Sequence, residues 1–438
     1  MASRFKRTTY FTLAAGSGHA AAFVCDKAES RSACRGLPFY GTHGGGNYCV
    51  LHYPGARKGE VFGEILKRKL DAGDANFHGA WFPDPVDFRQ HTFTSHARFA
   101  GATFNARADF SEATFKDRAN FIGAVFGPGA AADFSYVRFE GDADFSTVFH
   151  APVTFNYAHF TREAYFRSAS FYAGANFRSA TFSTHARFGG GGHFAEQTFL
   201  DLQFTRIEKP EHVSFDSLCL HPHWFVNVDS RKFDFTNVTW RGSLEGEVAA
   251  LSLQKLAQPH GLLATACRRL AVNAEENHRY KEASEFRYMS MDARRLGKSG
   301  GFAFWTLDWW YRLASGYGER VWCALAVFVA IWLFFAFLYS LGEPVRCKGG
   351  QDGAGCIGWE VKDEPRPSPD ASSGPKEAEN FFSSFFNSAV YAIETMTLQK
   401  PEPRPRTPLA RLVVLLCAVL GPTQAALLAL AVRRKFMR

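Results

Sequence analysis

Three cysteines and one histidine near the N-terminus have the residue types and spacing of a metal site. Cys25, Cys34, Cys49 and His52 form the pattern C-x8-C-x14-C-x2-H, which ends in YCVLH. Thiolates and imidazole suit Zn²⁺, and four such ligands complete a tetrahedral structural site with no open catalytic position. The pattern therefore predicts a structural zinc site at these four residues.

The chain between these ligands must turn sharply, and glycines allow such turns. They are Gly41, Gly44, Gly45 and Gly46. His43 is a competing ligand that ranks below His52. The spacing is looser than that of paired CxxC motifs, so the alternative is three unpaired cysteines and a surface histidine. The ending of the pattern resembles small YC-x-x-H zinc modules that precede some repeat domains.

Residues that could line a pore lie near the C-terminus. The stretch from Asn380 to Thr397 is apolar and about 18 residues long, and the prolines that follow it forbid further helix. At its end, hydroxyl and charged side chains could surround a constriction, with charged rings in an oligomer. These residues are Thr395, Thr397, Leu398, Gln399, Lys400 and Glu402. The alternative is a re-entrant or interfacial helix without a pore.

Two uncharged segments flank this stretch. They run from Val321 to Leu341 and from Leu412 to Val432, and each has 21 residues. At about 1.5 Å per residue each would span roughly 31 Å, close to the thickness of a bilayer core. The alternative is a buried helix of a soluble domain, and the second segment fits this alternative better than the first because it contains a glycine and a proline. In a membrane span, Gly421 and Pro422 could form a gating bend or a packing kink.

Basic residues set the expected topology. Arg320 precedes the first span, and a basic cluster at 433–438 follows the second. These positions predict a multi-pass protein of the inner (plasma) membrane with both termini in the cytoplasm. The segment between the spans is then external, where Cys347 and Cys356 could form a disulfide. Tryptophans and glycines at 301–320 predict a short interfacial helix before the first span, with a helix packed under the repeat solenoid as the alternative.

Phenylalanine recurs with alternating gaps of five and six residues from Phe77 to Phe126, and the pattern resumes after an insertion. Alanine commonly stands two residues before each phenylalanine. An eleven-residue period is also typical of a right-handed coiled coil, but the residues between have poor helix propensity. The pattern predicts a repeat solenoid with phenylalanine stacked inside.

These repeats resemble the pentapeptide-repeat family, whose unit is A-x-(L/F)-x-x. The resemblance implies a right-handed quadrilateral β-helix of about 22 residues per coil, with roughly six coils between Ala75 and about Arg206. Some members mimic DNA and inhibit gyrase, which requires an acidic surface. Between Asp74 and Arg206 the chain has 11 Lys/Arg against 13 Asp/Glu, so such mimicry is not expected.

The order of span, loop, short apolar helix and span resembles two-span potassium-channel subunits, and FFNSAVYAIETMT resembles their pore helix. The resemblance implies a homo-oligomer, a tetramer if channel-like. The family's filter, T-x-G-Y-G-D-like, is replaced by TLQKPE, with Gln399 and Pro401 at the glycine positions. Potassium selectivity is therefore not expected.

The expected chain has five parts. These are 1–73, with the zinc module; 74–240, the solenoid; 241–300, a helical connector with its charges on a solvated face; 301–320, the interfacial helix; and 321–438, the membrane domain with the pore-helix-like segment 380–397. The net charge of +8 is concentrated near the spans and the C-terminus, so no nucleic-acid partner is expected.

No enzyme motif is present in the sequence, and we expect no catalytic residue. Two functions remain. One is an oligomeric ion-channel-like protein whose cytoplasmic solenoid binds a partner or senses a signal. The alternative is a non-conducting scaffold that the two spans anchor in the bilayer.

Overall fold

The structure, a computed structural model, describes residues 23–27, 32–189, 193–194, 199–299, 306–340, 381–399 and 408–436. Two compact units are present. The first comprises residues 1–218 and 234–238, and the second comprises residues 219–233 and 239–438. Each unit is described by itself below.

The first unit begins with a small module. Two antiparallel strands, β1 (Phe39–His43) and β2 (Gly46–Cys49), are joined by Gly44 and Gly45. Both glycines have positive φ, 57° and 84°, which a two-residue hairpin turn of this kind requires. A short 3-10 helix (Ala56–Lys58) leads into α1 (Gly59–Asp71).

The predicted solenoid is confirmed, with about seven turns. Its four walls are parallel sheets of two- to four-residue strands. One wall contains β3 (Trp81–Phe82), β7 (Thr103–Phe104), β11 (Val125–Phe126), β15 (Val148–Phe149), β19 (Ser170–Phe171) and β23 (His193–Phe194). The next contains β4 (Val86–Asp87), β8 (Ala108–Asp109), β12 (Ala132–Asp133), β16 (Val153–Thr154), β20 (Ala175–Asn176) and β24 (Leu200–Asp201).

The third wall contains β5 (Thr92–Phe93), β9 (Thr114–Phe115), β13 (Arg138–Phe139), β17 (His159–Phe160), β21 (Thr181–Phe182) and β25 (Arg206–Ile207). The fourth contains β6 (Ala97–Arg98), β10 (Ala119–Asn120), β14 (Ala143–Asp144), β18 (Ala164–Arg167), β22 (Ala186–Gly189), β26 (Val213–Asp216) and β28 (Asp234–Thr236). A 3-10 helix (Pro210–His212) precedes β26.

Stacked aromatic rings fill the solenoid interior. Because alternate residues of a strand point to opposite faces, Ala108 and Phe110 both point inward and are fully buried. The Phe110 ring stacks on Phe88 at 4.8 Å and on Phe134 at 4.7 Å between ring centroids. Each coil therefore adds one phenylalanine to this column of stacked rings, as the periodicity predicts.

The second unit consists mainly of helices. It also contains a parallel pair, β27 (Cys219–Leu220) and β29 (Thr239–Trp240), and a 3-10 helix (Pro222–Phe225). The helices are α2 (Leu244–Leu253), α3 (Pro259–Glu276), α4 (Tyr280–Ser299), α5 (Leu307–Ser315), α6 (Val321–Ser340), α7 (Phe381–Met396) and α8 (Pro408–Phe436).

The charged face of the connector is not wholly solvated. Asp292 and Arg295, both on α4, are buried and form an ion pair at 2.9 Å. Arg312 and the hydroxyl of Tyr317 also reach Asp292, at 3.1 Å and 3.2 Å. The expectation of a solvated charge face was wrong at these positions, because α5 and the turn after it cover this side of α4.

Helices α6 and α8 are long and apolar enough to cross a membrane, by length and composition. Their mean hydropathy is 2.6 and 2.2, and only 17% of the most apolar window of each is buried. Exposed side chains on them include Trp322, Phe334, Leu415 and Val419. A core helix of a soluble domain would instead bury most of such surface.

Candidate metal centre and the pore-like segment

Two local turns and one backbone contact with β2 bring the four predicted ligands together. Cys49 ends β2, and the backbone N–H groups of His52 and Tyr53 donate to its carbonyl oxygen. Cys34 lies in a turn closed by the Leu37 N–H at 3.0 Å. The segment that carries Cys25 is tied to β2, since the Asp26 N–H donates to Asn47 O at 2.9 Å.

The ligand atoms converge on one point. The three sulfurs and His52 Nδ1 all lie within 4.8 Å of one another, and the four residues are buried. His52 Nδ1 is 3.4 Å from Cys25 Sγ and 3.2 Å from Cys49 Sγ. The predicted ligand set is therefore within metal-binding distance.

The outer nitrogen of His52 is also fixed. Nε2 lies 2.9 Å from the carbonyl oxygen of His78, which can accept its proton. This contact leaves Nδ1 as the nitrogen available to a metal, and such second partners orient ligating histidines. The sequence spacing gave no indication of His78, because a backbone carbonyl leaves no residue-type signal.

Burial makes Cys34, Cys49 and His52 prefer their neutral forms. It raises the pKa of Cys49 to about 12, and it raises the pKa of Cys34, with Cys25 adding to the effect. Burial lowers the pKa of His52 to about 4, although the His78 contact acts in the other direction. A bound cation would reverse this preference at the cysteines, because thiolates are the form that coordinates metal.

The residues fit a zinc ion. Sulfur atoms about 2.3 Å from one ion at tetrahedral angles lie about 3.8 Å apart, and the four donor atoms here all lie within 4.8 Å of one another. His43 does not compete, because its exposed ring packs near Tyr53, at 6.2 Å between centroids, away from the cluster.

Lys58 adds a buried charge beside the centre, and sequence reasoning missed it. Its Nζ donates to Val50 O at 2.6 Å and to Leu51 O at 2.9 Å, and lies over the rings of Phe62 and Trp81. Burial lowers the pKa of Lys58 to about 7, while the charge of Cys49 acts to raise it. Lys58 directly precedes α1, and no sequence pattern around it predicts that its side chain is buried.

The pore-like residues lie at the end of α7. Thr395 is buried and its hydroxyl donates to Tyr391 O, whereas Thr397, Leu398 and Gln399 are exposed. The Thr397 hydroxyl bonds Ile393 O at 3.1 Å. Lys400, Glu402, Cys347 and Cys356 lie outside the described residues.

Helix α7 packs against both long helices. One apolar cluster joins the three helices. Helix α7 contributes Ala389, Tyr391, Ala392 and Met396, α6 contributes Phe335, Ala336 and Tyr339, and α8 contributes Cys417. The Trp332 indole donates to Ala389 O at 2.9 Å. At 16 residues, or about 24 Å, α7 is too short to span a bilayer core by itself.

Gly421 and Pro422 lie inside α8, which is one helix in the structure. The Met396 side chain occupies the space beside Gly421. Because Gly421 has no side chain, α7 can pack closely against α8 at this point. A role of Gly421 and Pro422 as a gating bend stays a prediction.

Comparison with known families supports the solenoid assignment. A family model described as Pentapeptide repeats (9 copies) matches residues 99–148, all within the solenoid. The comparisons with curated proteins and with solved structures found no match.

Proposed function

We propose that this pentapeptide-repeat protein is an oligomeric, ion-channel-like protein of the cell's inner membrane. Helices α6 and α8 span the bilayer, α7 re-enters it, and both termini are cytoplasmic. The solenoid binds a protein partner or senses a signal, and the Cys/His centre holds a structural zinc ion. No part of this role is enzymatic.

The packing of α7 between α6 and α8 carries the proposal. A helix too short to span the bilayer core, held against two long apolar helices, is the arrangement from which pores with re-entrant segments are built. Its C-terminal end, where the helix dipole favours a cation, carries Thr395 and Thr397.

Exposed apolar surface on α7 supports an oligomer. Phe386, Val390 and Ile393 are exposed although the opposite face of the helix is packed. One subunit has too few helices to enclose an aqueous path, so neighbouring copies would have to cover this face and complete the pore. Four copies are proposed from the channel resemblance.

Conductance of the purified full chain in planar bilayers tests the proposal. We expect weak cation preference or low conduction, without potassium selectivity. Thr397→Trp should abolish the current by filling the constriction. Thr423→Trp is the matched control, because Thr423 is equally exposed and its hydroxyl also bonds its own helix, at Val419 O.

The second candidate is a membrane-anchored, non-conducting scaffold. The replacement of both filter glycines, by Gln399 and Pro401, favours it. A strict monomer by mass photometry in detergent, with no current in bilayers, would reject the channel and leave the scaffold.

A further inference from the structure

Two histidines and one glutamate form a second cluster of metal-binding groups. His221 Nδ1 lies 2.9 Å from one carboxylate oxygen of Glu247, and His223 Nδ1 lies 2.8 Å from the other. One ligand atom from each of the three residues lies within 4.8 Å of the others. The cluster lies wholly within the second unit and is far in sequence from the Cys/His centre.

Local structure builds this cluster. His223 lies in the 3-10 helix Pro222–Phe225, which directly follows His221, and its backbone N–H donates to Glu247 at 2.8 Å. Glu247 lies in the first turn of α2. Gly242 has φ +121°, and a Cβ there would be 2.7 Å from Glu247 Cδ, so the glycine leaves space for the carboxylate.

The carboxylate of the cluster is compensated by its two histidines. Glu247 is almost fully buried. Within the described ranges its carboxylate forms no ion pair with a lysine or arginine. A buried carboxylate is stable only when a positive charge or strong hydrogen bonds compensate it. Burial acts to raise the pKa of Glu247, but the hydrogen bonds with His221 and His223 outweigh it and hold this pKa below its ordinary value. A divalent cation held by the same three side chains would add its full positive charge to this compensation.

The donor spacing is close to that of a coordination sphere. Two donors about 2.1 Å from a tetrahedral ion are about 3.4 Å apart. The observed separations of 2.9 Å and 2.8 Å would open by about half an ångström. The His221 side chain is partly exposed, with an accessibility of 23%, so the cluster is in contact with solvent on this side.

We propose that His221, His223 and Glu247 bind a divalent transition-metal ion, with Zn²⁺ as the best match. Two imidazole nitrogens and one carboxylate oxygen are a ligand set that zinc uses with a further position open. The ion would fasten the segment 219–233 to α2. The sequence signal was the His-Pro-His run, which lacks its third ligand until the fold brings Glu247 to it.

Metal content of the purified full chain tests this site. The protein is stripped with a chelator, reloaded with Zn²⁺, desalted and analysed for zinc per chain. His221→Gln should lose about one zinc relative to wild type. His278→Gln is the matched control, because His278 is exposed in the same unit and its ring contacts the Tyr280 hydroxyl at 2.8 Å rather than a cluster of metal-binding groups.

Cobalt separates the two centres. Co²⁺ bound by thiolates gives intense charge-transfer absorption, whereas a nitrogen and oxygen site gives only weak bands. His221→Gln should keep the thiolate absorption, which also shows that the chain is folded, and should lose bound Co²⁺. Cys49→Ser should lose the thiolate absorption and keep the nitrogen and oxygen site.

Equal zinc in wild type, His221→Gln and His278→Gln would overturn the proposal. If His221→Gln loses the thiolate absorption as well, Glu247→Gln decides, because it keeps the shape of the site and removes its charge. Zinc retained in full by Glu247→Gln would then reject the site. This result does not depend on the channel proposal or on the proposed zinc ion at the Cys/His centre.

Discussion

Met396 at the end of α7 packs directly on Gly421 in the middle of α8. A Cβ placed on Gly421 would lie 2.7 Å from Met396 Cβ, which is closer than such atoms approach in proteins. The glycine therefore sets the distance between the short helix and the long one.

Gly421→Ala should destabilise the helical unit by about 1–3 kcal/mol, because the added methyl group forces α7 away from α8. The measurement is the thermal transition of the full chain in detergent. Gly63→Ala is the control, since nothing lies within 4 Å of a Cβ at Gly63 in helix α1. That change should be neutral or stabilising by up to about 1 kcal/mol. Equal effects of the two substitutions would contradict the packing account.

Phe110→Ala should lower the free energy of unfolding by about 3–5 kcal/mol, because it leaves a cavity in the ring column. Ile122→Ala is the control, since Ile122 is 41% exposed on the same solenoid, and its effect should stay within about 0.5 kcal/mol. Chemical denaturation of the full chain would report both. An unchanged midpoint for Phe110→Ala would reject the stacked interior.

Cys49→Ser should lose about one zinc per chain, because serine cannot replace a thiolate ligand. Cys323→Ser is a matched control, since Cys323 is outside both clusters of metal-binding groups found in the described residues. Elemental analysis of the purified proteins provides the measurement. The same zinc content in Cys49→Ser and wild type would reject the centre.

Lys58 should make the stability of the metal-stripped protein depend on pH. The pKa of Lys58 is about 7 in the fold, below its ordinary value of 10.5, so between these values the unfolded chain binds more protons at this residue. Lys58 should therefore contribute a rise in stability of roughly 2 kcal/mol between pH 7 and 9. The buried Cys34 and Cys49, whose pKa is raised, act in the opposite direction as pH approaches 9, so the contribution is measured as the difference between wild type and Lys58→Met. Lys58→Met should remove this rise, whereas the exposed Lys67→Met should retain it. Denaturant unfolding at pH 7, 8 and 9 checks the prediction, and parallel profiles for wild type and Lys58→Met would refute it.

Arg434→Ala should destabilise the helical unit by about 1–3 kcal/mol. The guanidinium lies 3.1 Å from the buried Glu319 carboxylate and also donates to Tyr317 O at 3.1 Å. Its loss leaves Arg287, at 3.7 Å, as the remaining cation of this ion-pair group. Arg433→Ala, at an exposed neighbour, should have little effect. The double variant Glu319→Gln/Arg434→Ala should recover part of the loss in thermal unfolding, and strict additivity would contradict the pairing.

Sequence periodicity predicted the solenoid because each inward phenylalanine is placed by the repeat itself. The Cys49–His52 turn is equally local. Cys25 and Cys34 were included by residue type, and the fold brings them to the cluster through separate backbone contacts. Burial of Lys58 and pairing of Asp292 with Arg295 depend on which surfaces other elements cover, and no local pattern records that. The meeting of His221 and His223 with Glu247 depends on tertiary structure in the same way.

The repeated register of the solenoid makes its length adjustable in whole steps. Trp81 pairs with Thr103, and Thr103 pairs with Val125, with the same inward phenylalanine after each. Removing residues 103–124 would let Trp81 pair with Val125 and leave every wall continuous. The solenoid would then be shorter by one strand spacing, about 4.8 Å. Insertion or deletion of whole coils can thus change the length of the solenoid while the remaining strands keep their register.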